Sequence, residues 1–462
     1  MNGLRSLAVA MLLAAPATYT TASAAAASTA AVATAAVATA AVATAAVARV
    51  DAPHPFNILL ITCDALRADH LGAYGYSRPT SPNIDAFAKE ATVFANTVGQ
   101  SAWTGPGIVS LLTGQYPAVH GMDTRHKAPD RFLPTVLKDL GARGYRATAF
   151  QATGDLYSNL GLGSEDQMRF TLPELLRKVG GEPFAIWYHF RNSHLPYHAR
   201  PELQAQFARP ESPPLPADHL ALLTTSPVIP AGTVTWEPSE RSAIVDLYDA
   251  AVRQNDDDVG AALATLRDLG LWENTIVVLT ADHAEELLEH GQVGHASTTQ
   301  AGTLYEELLR VPLIVRVPGT PGGRVVPGLA QPVDVMPTVL DALGLGADPR
   351  MQGRSLLPEV LGERDRVPRE IAFSETTDCG WQCAGNRQKT GRLWAAKSSH
   401  WKLLVRRDES ARVVEERLFD LQQDPAETHS VLVEEPQAAA TLRRALAAHI
   451  ADNLVRARGA LA

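Results

Sequence analysis

The chain has 462 residues, with 41 Lys and Arg against 50 Asp and Glu, so its formal net charge is −9. This charge is spread along the sequence rather than gathered into blocks. The pattern argues against a basic surface for nucleic acid, and we expect no nucleic-acid partner. The length allows one large domain or two ordinary ones, and either would bury a substantial core.

The first 52 residues have the composition of a leader followed by a spacer. Arg5 precedes a short apolar segment, and small residues end at Ala24, which is typical of a cleavable secretory signal peptide over residues 1–24. The motif TAAVA then repeats four times within a spacer of Ala, Val and Thr that we assign to residues 25–52. We therefore expect a secreted or periplasmic protein. An apolar segment shorter than about 20 residues predicts no stable membrane span, and an uncleaved anchor is the alternative.

Alternating helical and strand patterns predict an α/β fold in which a mostly parallel central sheet is flanked by helices. The predicted strands cover residues 57–63, 92–98, 146–151, 184–190, 275–281 and 311–317, and the predicted helices cover 82–91, 133–143, 173–179, 239–269 and 335–343. We assign this pattern to a main domain, residues 53–353.

The composition changes after residue 353. Short apolar runs separated by turns predict a small antiparallel sheet, and a helix from about residue 437 to 458 would cover it. We assign residues 354–462 to this C-terminal subdomain.

Two predicted strands end on side chains that bind metals. The first apolar run leads into Asp64, and the run TIVVLTADH ends on Asp282 and His283. Ligands of open α/β sheets gather at the carboxyl ends of parallel strands, so we expect these three side chains to share one site. We interpret them as metal ligands.

Thr104 precedes a short predicted helix that ends at Gly114. A threonine there has an ordinary explanation, because its hydroxyl can cap the backbone of the helix. The same position also faces unpaired amides and the positive end of the helix dipole, where phosphate or sulfate binds. Thr104 is therefore also a candidate nucleophile.

Six segments in order carry a resemblance to the sulfatase branch of the alkaline-phosphatase superfamily. The segments, which lie between residue 57 and about residue 432, are NILLITCDALRADHLGAYGY, TGPGIVSLLTGQYPAVHG, HLPY, TADHAEELLEHGQVGH, LYEELLRVPLIV, and WKLL with LFDLQQDPAE. The resemblance makes residues 53–353 a sulfatase-like catalytic domain.

The resemblance also implies roles for individual residues. Asp64, Asp282 and His283 would hold one divalent metal ion, and Thr104 would be both a ligand and the nucleophile. His194 and His295 would line the anion pocket as catalytic residues. Oxygen ligands with one imidazole favour Zn²⁺ or Mn²⁺, and Ca²⁺ is possible because relatives with Asn in place of the histidine resemble calcium sites.

The nucleophile segment departs from the usual sulfatase pattern. Most members carry C-x-P-S-R with a Cys or Ser that is converted to formylglycine, whereas this chain reads T-G-P-G-I. Threonine is not a substrate for that conversion, so we expect no formylglycine. Gly107 and Ile108 replace the Ser and the Arg, and Ala65 stands where many members have a further carboxylate. A threonine nucleophile resembles the phosphoethanolamine and lipoteichoic-acid transferases of the same superfamily.

The sequence thus predicts an exported, metal-dependent, sulfatase-like hydrolase that cleaves a sulfate or phosphate ester through Thr104. Its substrate would be a small-molecule ester or one linked to a glycan or lipid. Two alternatives remain at this point: a phospho-group transferase of the same superfamily, and a catalytically silent homologue that binds anions.

Other polar residues have competing interpretations. Lys402, in WKLL, falls on a family position, but a strand lysine that reaches solvent explains it equally well. A solvated face is favoured over ligand roles for three acidic residues, Glu285, Glu286 and Glu289, and an exposed helical turn is favoured for Asp256–Asp258. A disulfide between Cys379 and Cys383 is favoured over a metal pair.

Overall fold

The computed structural model of the protein describes residues 56–123, 135–151, 170–179, 181–229, 234–295, 303–346, 348–377 and 391–459. Residues 54–462 form one compact unit. The signal peptide and spacer predicted for residues 1–52, and the Cys379–Cys383 pair, lie outside the described residues. No helix of the described residues is both long enough and apolar enough to cross a membrane.

The described strands are β1 (Asn57–Cys63), β2 (Thr92–Val98), β3 (Arg146–Gln151), β4 (Phe184–Phe190), β5 (Thr275–Thr280), β6 (Glu286–Leu287), β7 (Val293–Gly294), β8 (Arg310–Val311), β9 (Leu313–Arg316), β10 (Arg324–Ala330), β11 (Ala372–Thr377), β12 (Arg392–Lys397), β13 (Trp401–Arg407) and β14 (Val413–Asp420). The α-helices are α1 (Pro82–Ala88), α2 (Thr104–Thr113), α3 (Pro117–His120), α4 (Val136–Ala142), α5 (Leu172–Lys178), α6 (Pro201–Phe207), α7 (Ala217–Thr225), α8 (Arg241–Asp268), α9 (Glu306–Leu309), α10 (Val335–Ala342), α11 (Leu357–Val360) and α12 (Pro436–Gly459).

Eight strands form the central sheet in the order β10-β2-β9-β5-β1-β4-β3, and β8 pairs with β2 beside this path. The pairs β10–β2, β5–β1, β1–β4 and β4–β3 are parallel, whereas β9 runs antiparallel to both β2 and β5. The predicted α/β fold with a mostly parallel sheet is therefore confirmed. Strand β10 escaped the sequence analysis because it contains Pro327 and Gly328, residues that argue against a strand except at an edge or a bulge.

The central strand β1 is buried on both faces, and its side chains alternate between two cores. Ile58 and Leu60 belong to the core that also contains Ile108 of α2. Leu59 and Ile61 belong to the core on the opposite face, which α8 covers. The continuous apolar run of β1 follows from this double burial, which is usual for parallel strands.

The C-terminal strands β11 to β14 form the predicted small antiparallel sheet, in sequence order. Leu404 and Phe419 face the main core, whereas Leu403 and Leu418 pack in a separate cluster with Leu442 of α12. One face of this sheet therefore rests against the main core and the other is covered by the last described helix.

Two polar residues for which the sequence allowed or favoured an exposed position are buried. Lys402 is 0% exposed, and its ammonium lies 2.9 Å from a carboxylate oxygen of Glu427 and 3.2 Å from one of Glu306. Asp256 is also 0% exposed, because its carboxylate accepts hydrogen bonds from the backbone amide of Ile84, at 2.7 Å, and from that of Asn83. Asp256 thus caps the start of α1 from a neighbouring helix.

Candidate active site

Parallel strands β1 and β5 deliver three of the predicted site residues to one edge of the sheet. Asp64 follows β1, and Asp282 and His283 follow β5; Thr62 of β1 pairs with Thr280 of β5, so the two strands end level. One ligand atom from each of the three side chains lies within 4.8 Å of the others, and none of the side chains is more than 2% exposed. The structure therefore brings the predicted carboxylates and imidazole together.

Thr104 is the first residue of α2 and turns its hydroxyl towards this cluster. Its Oγ1 donates to Asp64 Oδ1 at 3.5 Å and lies 3.2 Å from His283 Nε2. The residue at the N-cap position is Trp103, and no side chain caps the helix there. The Thr104 hydroxyl thus contacts the proposed ligands and does not perform the capping role that was its alternative explanation.

The two oxygens of Asp64 have different surroundings. Oδ2 faces His189 Nε2 at 3.2 Å and Arg191 Nε at 3.3 Å, both from the end of β4. Oδ1 faces His283 Nε2 at 3.3 Å and the hydroxyl of Thr104. One oxygen is therefore held by protein donors, and the other points into the cluster.

The oxygens of Asp282 are divided in the same way. Oδ1 accepts a long hydrogen bond of 3.4 Å from the backbone amide of Ala65. Oδ2 is buried, accepts no hydrogen bond from the described residues, and lies 3.4 Å from His283 Nε2. His283 Nδ1 is 2.8 Å from the carbonyl of Ala284, an acceptor, so Nδ1 carries a hydrogen, and Nε2 is the nitrogen that offers a lone pair when the ring is neutral.

These donors fit one divalent cation. An oxygen of each carboxylate, the Nε2 lone pair of His283 and the Thr104 hydroxyl converge, and the remaining atoms of the same groups are engaged elsewhere. Two buried carboxylates side by side are costly unless positive charge compensates them. Asp282 Oδ2 would be stabilised most by such a charge, because it is buried and accepts no hydrogen bond from the described residues.

The pKa values of the cluster reflect the same electrostatics. Burial would lower the pKa of His283, but the carboxylates of Asp282 and Asp64 raise it to about 9. Burial raises the pKa of Asp282 to about 6. Burial would also raise the pKa of Asp64, yet His194 and His189 hold it well below its ordinary value. The site thus favours positive charge beside Asp64.

The two predicted catalytic histidines lie beside the cluster. The ring centroid of His295 is 4.2 Å from that of His283 and 4.7 Å from that of His194. His295 is fully buried, and its Nδ1 lies 2.6 Å from Glu285 Oε2. Burial lowers the pKa of His194 to about 4, so this ring is neutral near pH 7 and can accept or donate a hydrogen bond.

Glu285 and Glu286 were interpreted from the sequence as part of a solvated face, and the structure corrects this because both are 0% exposed. Burial raises the pKa of Glu285 to about 8. Glu285 also forms a second possible ligand group with His283 and His295. Its oxygens are already engaged, however, with His295 and with the hydroxyl of Tyr197 at 3.2 Å, so this group fits a cation less well.

His189 and Arg191 are site residues that the sequence analysis missed. His189 belongs to β4 and Arg191 follows it, and Phe190 of β4 pairs with Cys63 of β1. The rule that placed Asp64 and Asp282 at the carboxyl edge of the sheet applies equally to this neighbouring strand, so the signal was present.

Backbone geometry explains one departure from the usual sulfatase pattern, Gly107, and shows what the backbone does at the other, Ala65. A Cβ atom at Gly107 would lie 2.5 Å from the carbonyl oxygen of Asp282, so a side chain there would displace one of the proposed ligands. Ala65 has a left-handed φ of 59°, which costs a residue with a Cβ about 1–2 kcal/mol and aims the Ala65 amide at Asp282. Both positions serve the placement of Asp282.

Comparison with known proteins finds sulfatases and related hydrolases. A family model described as Sulfatase matches residues 56–163 and 153–345, and one described as N-sulphoglucosamine sulphohydrolase, C-terminal, matches residues 277–455. The multifunctional alkaline phosphatase superfamily protein PehA of Trinickia caryophylli is 26% identical over 402 residues, covering 65% of this chain and 76% of that protein.

A further sequence relative and a solved structure are also similar to this chain. The Δ4,5-hexuronate-2-O-sulfatase of Bacteroides thetaiotaomicron is 25% identical over 372 residues, covering 71% of this chain and 76% of the relative. The crystal structure of the phosphonate monoester hydrolase of Agrobacterium radiobacter superposes with a TM-score of 0.69 at 21% identity, over 87% of this chain and 96% of that one.

The fold and the site define a sulfatase-like ester hydrolase of the alkaline-phosphatase type. Within that class, the chain belongs to the sulfatase family.

Proposed function

We propose that the protein is an exported, metal-dependent hydrolase of sulfate or phosphate esters in which Thr104 is the nucleophile. The observation that carries the proposal is the position of Thr104 Oγ1, 3.2 Å from His283 Nε2 and 3.5 Å from Asp64 Oδ1, beside the open oxygen of Asp282. Export is supported by the signal-peptide pattern of residues 1–24.

Asp64, Asp282, His283 and Thr104 would hold the divalent ion, which we propose to be Zn²⁺ or Mn²⁺, with Ca²⁺ as the alternative. Such an ion lowers the proton affinity of a nearby hydroxyl and neutralises charge on the ester oxygens. Thr104 is the unmodified nucleophile in this proposal, since its side chain is not a substrate for conversion to formylglycine.

The reaction has two displacements. Thr104 Oγ1 loses its proton and forms a bond to sulfur or phosphorus as the bond to the leaving-group oxygen breaks. A neutral ring of His194 or His295, beside the cluster, takes up that proton and passes it to the leaving oxygen. Water then displaces Thr104 from the covalent ester and releases sulfate or phosphate.

Arg191 supplies a positive charge near the site, where the nucleophile segment lacks the arginine of the usual pattern. Ile108 replaces the arginine of the usual pattern, but the Arg191 side chain, 29% exposed, reaches Asp64 from the end of β4. Arg191 and His189 also line a cavity of about 570 Å³ that includes Tyr188, Phe190 and Pro196. We propose that the leaving group occupies this cavity, with the ester anion near Arg191.

Removal of divalent ions tests the proposal. Dialysis against a chelator is expected to abolish turnover of an aryl sulfate, a phosphonate monoester and a phosphodiester, and addition of Zn²⁺ or Mn²⁺ is expected to restore it, because the buried carboxylates need the ion's charge. Full activity of metal-free protein, verified by elemental analysis, would contradict it. Metal-loaded protein that turns over none of the three esters would favour the silent anion-binding homologue.

Transfer to an alcohol is a second candidate, favoured by the threonine itself, which resembles the nucleophile of the superfamily's transferases. The same assay with added ethanolamine or glycerol separates the two reactions. A hydrolase releases inorganic sulfate or phosphate in proportion to the leaving group, whereas a transferase gives a new ester at the expense of the inorganic product.

A further inference from the structure

A row of buried polar side chains leads from the interior of the sheet to Asp64. Trp187 Nε1 donates to Thr62 Oγ1 at 2.8 Å, and the same Oγ1 lies 2.7 Å from His189 Nδ1. His189 Nε2 in turn lies 3.2 Å from Asp64 Oδ2. The row spans the paired strands β1 and β4, in which Thr62 and His189 are directly opposite each other. Thr62 and Trp187 are 0% exposed and His189 is 3% exposed.

The hydrogen-bond chemistry of these groups gives the row a direction. An indole N–H is only a donor, so Thr62 Oγ1 accepts from Trp187. The Thr62 hydroxyl has one hydrogen to donate, and the other group that it contacts, His189 Nδ1, can accept it. In this fully buried setting the hydroxyl therefore donates to Nδ1, and the ring hydrogen of a neutral His189 is on Nε2, the nitrogen that faces Asp64.

We propose that Trp187, Thr62 and His189 form a relay that positions Asp64 for metal binding. By setting an N–H opposite Oδ2, the relay leaves Oδ1 to face Thr104 and His283. His189 Nε2 and Asp64 Oδ2 are 3.2 Å apart but are not aligned as a full hydrogen bond. The N–H therefore acts on the carboxylate through electrostatic attraction, which orients it. The inference rests on the proposed metal site. The inference itself is that the position of the hydrogen on the His189 ring controls the orientation of Asp64, although His189 is not a metal ligand.

Metal affinity measures this effect without any assay of turnover. Thr62→Val keeps the shape of the side chain but removes the hydroxyl, so the proton on His189 is no longer directed to Nε2. We expect Zn²⁺ or Mn²⁺ to bind about 10-fold more weakly, as is usual when a partner of a metal ligand is lost. Competition with a chromophoric chelator gives the dissociation constants. Thr62→Ser keeps the hydroxyl and is expected to bind the ions like the wild type.

Thr92 provides a matched control. It is a strand threonine with 0% exposure, and its Oγ1 has no hydrogen-bond partner among the described residues. Thr92→Val therefore makes the same chemical change without breaking a relay, and metal affinity is expected to stay at the wild-type value. Thermal unfolding of each variant verifies that the protein is folded before the ion is added.

A second readout tests the direction of the relay in metal-free protein. Nitrogen NMR of protein labelled at histidine, with His189 assigned by a His189→Gln variant, distinguishes a protonated from an unprotonated ring nitrogen. We expect Nδ1 of His189 to be unprotonated and Nε2 to carry the hydrogen in the wild type, and this preference to be lost in Thr62→Val.

The outcomes separate the relay from the proposed function. Folded Thr62→Val that binds the ions with wild-type affinity, or a wild type with the hydrogen on Nδ1, would overturn the relay while leaving the metal site in place. Wild-type protein that binds neither ion would overturn the metal site, and the role of the relay with it. Weak binding in Thr62→Val alone, with normal Thr62→Ser and Thr92→Val, supports both.

Discussion

Thr104→Ala is expected to lower kcat on the order of 10⁴-fold or more for every ester that the wild type hydrolyses, because it removes the atom that forms the covalent intermediate. Among the described residues the hydroxyl contacts only Asp64 and His283, so its removal breaks no backbone hydrogen bond of α2 seen there. The thermal midpoint is therefore expected to change little. Steady-state kinetics with an aryl sulfate and a phosphonate monoester provide the measurement.

Two variants control for the loss of a threonine as such. Thr104→Ser keeps a hydroxyl at the same position and is expected to retain measurable turnover. Thr113→Ala removes a buried hydroxyl from the other end of α2, where Oγ1 donates to the carbonyl of Val109 at 2.6 Å, and is expected to affect stability but not kcat. Wild-type turnover in folded Thr104→Ala would remove Thr104 from the nucleophile role.

Lys402→Met is expected to destabilise the folded protein by roughly 3–5 kcal/mol, the usual effect of removing one partner of a buried ion pair. Lys402 lies between Glu427, 2.9 Å away, and Glu306, 3.2 Å away, and all solvent is excluded from it. Lys397 still faces Glu306 in the variant, whereas no other cation of the described residues is paired with Glu427. Denaturant unfolding at neutral pH gives the free energy change.

The exposed Lys89 supplies the control, because Lys89→Met removes the same charge from the surface and is expected to change stability little. Glu427→Gln in the Lys402→Met background is expected to recover part of the loss, since the uncompensated charge is then absent. Equal stability of Lys402→Met and Lys89→Met would show that the buried cluster contributes nothing.

Glu306 of this cluster is expected to make a contribution to stability that is lost in acid. Burial would raise the pKa of Glu306, but Lys397 and Lys402 lower it from 4.5 to about 2 in the folded protein. The unfolded chain therefore binds a proton that the folded protein does not. The contribution of Glu306 is complete above about pH 4.5 and is lost as the pH falls towards 2.

The grouping of the three proposed metal ligands could be predicted because its signals are local. Asp64, Asp282 and His283 each follow an apolar run, and parallel topology brings the ends of such runs to one edge. Thr104 was a candidate from its position at the start of a predicted helix, whereas the roles of His194 and His295 were implied by the family resemblance. The small C-terminal sheet was also predictable from its separate short runs.

Residues whose environment depends on tertiary packing could not be predicted in this way. Glu285 and Glu286 lie in a charged stretch whose composition indicates a solvent-facing surface, yet both are fully buried. A family position and a strand lysine that reaches solvent explained Lys402 equally well, and only the approach of Glu306 and Glu427 from distant segments explains its burial. Gly107 is required by the carbonyl of Asp282, a contact between segments that are far apart in sequence.

Anomalous X-ray diffraction from crystals soaked in Zn²⁺ or Mn²⁺ tests the central claim most directly. The account predicts one strong anomalous peak within bonding distance of Asp64 Oδ1, Asp282 Oδ2 and His283 Nε2, with Thr104 Oγ1 facing the ion. A peak held instead by Glu285 and His295, or an ion out of reach of the Thr104 hydroxyl, would contradict it.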